Sequence, residues 1–216
     1  MADNRHKYGF RFYSSITGVG RTSAIEGVIA SAYAPLINTN ESVGLSIGDP
    51  VQRLTDGTFA LAGDTTTSGA VPFGVIVGFL NVKLDYSGTK SRPASYYPSG
   101  TSYSTKANET RVAVLPFGRD VWEIDHRNGA LTTEAAYRAI IEHNADLVYT
   151  RDISNPDKPR ADPQLDLTST GSATAHFRIF GISKSAENVD FSGANVKLLV
   201  QLNEGREPMF TATGLA

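Results

Sequence analysis

The side chains able to move a proton near neutral pH are the four histidines, His6, His126, His143 and His176. They lie far apart, with no short-spaced pair of the kind that binds zinc from one helix face. His126 follows Asp125 in a turn-like stretch. His143 closes a helical pattern, where the helix dipole favours an imidazolium. His176 falls on the polar phase of an alternating strand and is expected to face outward. A serine nucleophile would need a Gly-x-Ser-x-Gly elbow, and none occurs. Gly18-Val19-Gly20-Arg21-Thr22 resembles the end of a phosphate loop, but Ser15 stands where the motif needs glycine and Arg21 where it needs lysine. A plain glycine turn is expected there. Asp152, Asp157, Asp162 and Asp166 lack the alternation and central glycine of a calcium loop. Glu123 and Asp125 share one strand face at a spacing ordinary for solvated strands. The chain has no cysteine, which removes disulfides, thiolate metal sites and thiol nucleophiles together. Catalytic, cofactor-binding and metal-ligating residues are all expected to be absent, and the protein is read as a non-enzyme.

A different chemistry is written near the start. Arg5, Lys7 and Arg11 interleave with Tyr8, Phe10, Phe12 and Tyr13. Cations that neutralise phosphate and rings that stack on bases would suit nucleic acid. Aromatic residues and arginine are equally the enriched residues of protein interfaces. The whole chain carries 20 Lys plus Arg against 22 Asp plus Glu, a net charge of -2. That balance favours a protein partner over direct contact with nucleic acid. Tyr96, Tyr97 and Tyr103 form a second candidate contact surface in a Gly-, Pro-, Ser- and Thr-rich stretch over 87–108. Loops this long are commonly functional, and plain disordered linkers are poor in aromatics.

The elements that must hold these residues are mostly strands. Residues 1–47 read as an extended N-terminal arm with one short strand, because only Tyr8, Phe10 and Phe12 alternate. A β-rich core domain spans 48–205, and 206–216 form a short tail. Strands are expected over 51–54 and 58–62 around an Asp56-Gly57 turn, over 73–80, and over 81–86. Others are expected over 110–115, 120–125, 147–150, 174–182 and 196–203. The last two alternate as half-buried strands do. Proline at 156, 159 and 163 marks 152–163 as a loop. The one helix is expected over 133–143, capped by Thr132, with Ala136, Tyr137, Ile140 and Ile141 on its apolar face and Asn144 at its end. Many short strands, frequent turns and one helix indicate a mainly β fold: a sandwich, jelly roll or related barrel. The longest apolar stretch, over 71–80, is broken by Pro72, Gly74 and Gly78, and a spanning helix needs about 20 residues. No membrane partner is expected, and no apolar run follows the polar residues 1–7 as a secretion signal would.

Several of these segments, in order, resemble the small structural proteins of tailed bacteriophages. Asn4 with Tyr8-Gly9-Phe10-Arg11 is similar to their "N…GFR" opening, and Gly48-Asp49-Pro50-Val51 to a "GDPV" strand start. Phe73-Gly74-Val75-Ile76-Val77-Gly78-Phe79 resembles "GVVVGF", with Arg92-Pro93-Ala94 in a following loop. Phe177-Arg178-Ile179 and 195–203 resemble two closing strands, "LRIL" and "AKWLVRIN". The long tyrosine loop and the 152–163 insert depart from that pattern.

The resemblance implies a capsid decoration, or cement, protein. Such proteins are β-rich homo-oligomers, dimers or trimers, on the outer surface of the icosahedral head, where they hold neighbouring major capsid subunits together. It carries over no catalytic residue. The expected partners are the major capsid protein and further copies of this chain, in a virion assembled in the host cytoplasm. Within that reading Phe10, Phe12 and Tyr13 are expected to anchor the arm under a neighbouring subunit. The alternative is a receptor- or glycan-binding virion module, a fibre or knob, in which Tyr96, Tyr97 and Tyr103 stack on sugars.

Overall fold

The computed structural model describes residues 9–15, 23–29, 47–62, 71–80, 83–86, 90–93, 111–128, 131–149, 163–186, 188, 191 and 196–203. It is mainly β, with one closed five-stranded barrel and a second sheet beside it. In chain order the strands are β1 (Arg11–Ser15), β2 (Ile25–Val28), β3 (Pro50–Arg53), β4 (Phe59–Leu61), β5 (Gly74–Phe79), β6 (Lys83–Tyr86) and β7 (Lys90–Pro93). They continue with β8 (Arg111–Pro116), β9 (Asp120–Asn128), β10 (Asn144–Tyr149), β11 (Pro163–Asp166), β12 (Phe177–Ile182) and β13 (Lys197–Leu202). One helix, α1 (Glu134–Ala139), lies between β9 and β10.

Two lobes result. In the first, β9, β11, β10, β12 and β13 pair in that order and β13 returns to β9, closing a five-stranded barrel. Its interior is filled by Trp122, Ile124, Tyr137, Leu147, Leu165, Phe177, Ile179, Leu198 and Val200, as a barrel this small requires. In the second, β2, β8, β5, β3 and β4 pair in order, and a bridge from Ile29 to Phe59 links the two ends. Val51, Phe59, Ile76, Phe79, Val112 and Val114 fill that lobe. Gly27 faces inward here, and a Cβ on it would meet the Phe59 ring at 2.1 Å. Val75 and Leu115 point from the opposite faces of β5 and β8 into the core of the first lobe, so the lobes share packing. β6 and β7 form a separate two-stranded ribbon.

Three of the register shifts bear on which faces are buried. In β5 the register shifts between Ile76 and Gly78. Ile76 and Phe79, three apart, thereby reach the same core, which strict alternation forbids. In β12 the shift lies between Ile179 and Gly181, with Ile179 and Ile182 on the core and Phe180 left 47% exposed. In β1 it lies between Phe12 and Ser14, with Tyr13 as the extra residue.

Several expectations are corrected. Within the expected extended arm, where one short strand was expected, Arg11–Ser15 and Ile25–Val28 form two, and they pair with β9 and β8. Of the 87–108 stretch, Lys90–Pro93 is a strand. Pro163 opens β11, a strand between β9 and β10; as the first residue it needs no ladder hydrogen bond, so the strand survives it. The helix is shorter than expected and Thr133, not Thr132, caps it, its hydroxyl accepting from the Ala136 amide at 3.2 Å. Only Tyr137 of its apolar face is fully buried, and Asn144 begins β10 rather than ending the helix. Lys197 and Leu199 are buried where a solvated strand face was expected. Asp152, Asp157, Asp162 and residues 206–216 lie outside the described residues. Among the described residues no helix is long and apolar enough to cross a membrane.

Candidate functional site

Of the ten expected interface residues, Arg5, Lys7, Tyr8, Tyr96, Tyr97 and Tyr103 lie outside the described residues. Phe10, Arg11, Phe12 and Tyr13 are brought together along one edge of β9. Phe10 is 4% exposed and sits in an aromatic box. Its ring centroid lies 4.7 Å from Phe117, 5.1 Å from Phe177 and 6.3 Å from Trp122. It is therefore a core residue of the first lobe, which corrects its assignment as an anchor under a neighbouring subunit. Gly9, with φ 65, turns the chain so that Phe10 enters the core.

Phe12 packs edge-on against Trp122 at 5.9 Å, half-buried at the barrel wall. The Trp122 indole donates to the Phe117 carbonyl at 3.2 Å, which fixes both rings of the box. Arg11 points outward and lies 3.6 Å from the Glu123 carboxylate, while its own side chain is largely exposed. Glu123 is buried on the outer barrel face and accepts a short hydrogen bond from the Ser183 hydroxyl. Burying a carboxylate is costly unless it is bonded in this way. Tyr13, the extra residue of the β1 bulge, is 46% exposed. Of the four, Arg11 and Tyr13 are the exposed ones.

The other polar clusters are hydrogen-bonded within the fold. The His126 Nε2 and Tyr137 hydroxyl lie 2.6 Å apart inside the barrel. The hydroxyl donates to the Leu131 carbonyl at 3.0 Å, so it accepts from His126, whose proton sits on Nε2. Burial pushes the Tyr137 hydroxyl up to about 12. His176, expected to face outward, is buried instead. Its Nδ1 lies 2.7 Å from Asp146 Oδ1, which also accepts from the His176 amide. Its Nε2 is buried without a hydrogen-bond partner. The nearby Ser169 hydroxyl accepts from the Asp146 amide and donates to the Asp166 carbonyl, so it is committed to the backbone. Asp125, expected on a solvated face, is buried and accepts from Gln164 Nε2 at 2.6 Å. Asp166 caps a 3-10 turn through the Thr168 amide and hydroxyl. Among the described residues no three His, Asp or Glu side chains gather as metal ligands.

Sequence reasoning found β1 through the Tyr8, Phe10, Phe12 alternation. It did not place Glu123, Phe117 and Phe177 beside β1, which they meet only through long-range pairing. No family model, curated protein or solved structure matches this chain.

Proposed function

We propose that this chain is a structural virion protein that decorates the outer surface of a tailed-phage head and cements neighbouring major capsid subunits, with its copies associating with one another. The observation that carries the reading is the spatial pairing of the segments that resemble phage structural proteins. The Gly48-Asp49-Pro50-Val51 segment opens β3, which pairs with β5, the Gly74–Phe79 strand, at Pro50 to Val75 and Val51 to Gly74. Gly48, with φ 97, donates to the Ile76 carbonyl, and Ile76 donates to the Asp49 carbonyl. Phe177-Arg178-Ile179 opens β12, which pairs with β13 from Phe177 to Leu202 onward. Four short segments scattered along the chain thus form two hydrogen-bonded pairs, one per lobe. The outward Tyr13 and Phe180 supply aromatic contact surface of the sort that interfaces enrich.

The physics of the role is additive. Weak attachment per copy becomes firm when an oligomer grips several shell subunits, because effective concentration multiplies affinity. The test is to mix the purified chain with expanded heads that lack decoration, and to sediment and image them. Regular copies on the outer surface at sites between capsid subunits are expected. Heads that sediment bare, together with selective retention on a glycan array, would replace this reading with that of a receptor-binding module.

A further inference from the structure

We propose that β1 is an exchangeable strand: the slot along β9 that holds residues 10–15 also accepts those residues from a second copy of this chain. The barrel of the first lobe closes through β9, β11, β10, β12 and β13 without using β1. β1 is added to β9 at its first half, opposite residues 120–123, while β11 takes the same edge from His126 onward. Releasing β1 therefore opens no barrel seam.

The slot and its occupant come from distant parts of the chain. Phe117, Trp122 and Phe177 line the box, and Phe10 fills it. Recognition is specific along the strand: Phe10 in the box, Phe12 edge-on to Trp122, and Arg11 beside buried Glu123. A second copy offers the same strand with the same charge complementarity. Exchange conserves every one of these contacts, so the balance between own and foreign strand is set by concentration against tether, the general condition for strand swapping. Crowding copies together shifts it toward exchange.

Ser14 and Val121 face each other across the β1–β9 ladder, and the chain has no cysteine of its own. Full-length Ser14→Cys and Val121→Cys chains are mixed at high concentration, passed through a brief mild denaturant pulse and oxidised. A band at the summed mass of two chains, containing one of each, is expected, because paired strand positions meet disulfide geometry. Adding Phe10→Ala to the Ser14→Cys chain is expected to lower that band more than about tenfold. The doubly substituted chain is expected to close within itself when dilute and to link chains when concentrated. Closure only within single chains at every concentration, or mixed bands no stronger than those of Ser14→Cys alone, overturns the proposal. So does a dilute double variant that never closes, since β1 would then not lie on β9. No capsid enters the experiment, so its failure leaves the decoration reading standing, and bare heads leave exchange standing.

Discussion

Replacing Phe10 with alanine tests the placement of the N-terminal strand most directly. The ring is 4% exposed and is held by three aromatic neighbours within 4.7–6.3 Å. Large-to-small changes of buried phenylalanine cost about 3–5 kcal/mol. The lower end applies here, because β1 pairs through one edge and the wall of the box can relax toward the vacancy. With a urea dependence of about 2–3 kcal/mol per M, the unfolding midpoint should fall by about 1 M. The assay is built into the molecule. Trp122 is the chain's one tryptophan and contacts both Phe10 and Phe12, so its fluorescence follows the box itself. Tyr13→Ala is the control: its side chain is 46% exposed, and surface changes of this kind stay within about 0.5 kcal/mol. A Phe10→Ala midpoint within error of the Tyr13→Ala one, with unchanged tryptophan emission, would refute the core placement of Phe10.

Three further outcomes follow from particular contacts. Gly27→Val should lower the melting temperature through a loss of about 1–3 kcal/mol, since even a Cβ there would meet the Phe59 ring at 2.1 Å; a neutral result would show that β2 does not close the second lobe. Tyr137 ionises near 10 when unfolded but is pushed up to about 12 by burial. Above pH 10 the unfolded state binds fewer protons, so stability should fall as pH rises through 10 to 12. Tyr137→Phe should flatten that slope in urea melts, and it should cost about 1–3 kcal/mol at neutral pH by leaving the Leu131 carbonyl unbonded. Asp56, held below its ordinary 3.8 by the Thr58 hydroxyl and amide, should titrate closer to 3.8 in Thr58→Ala when followed by NMR. Its contribution is present above 3.8 and is lost as pH falls through its lowered folded value.

Local patterns were legible in the residues. Apolar and polar alternation located the strands at 120–125, 174–182 and 196–203 to within a few residues, and the Asp56-Gly57 turn joins β3 to β4 as its composition indicated. The mainly β class followed from that density of short strands. The absence of cysteine and the near-neutral charge came from composition alone. The aromatic alternation around Phe10 marked a strand correctly but not what covers it, because a ring destined for a core and one destined for a partner are spelled the same way.

Burial depends on which distant segment arrives opposite, and only the tertiary structure decided that. Trp122 and Phe177 turned Phe10 inward, and Ser183 made an acid at 123 tolerable out of water. Asp146 gave His176 a reason to be buried. Bulges are equally invisible to a two-residue period, since one inserted residue reverses every face beyond it. That reversal placed Phe79 inward with Ile76 and Ile182 inward with Ile179. Barrel closure itself, β13 returning to β9, joins residues about 75 positions apart in the chain. A short window of sequence carries no trace of such a pairing, because its free energy comes from contacts made only once both strands are in place.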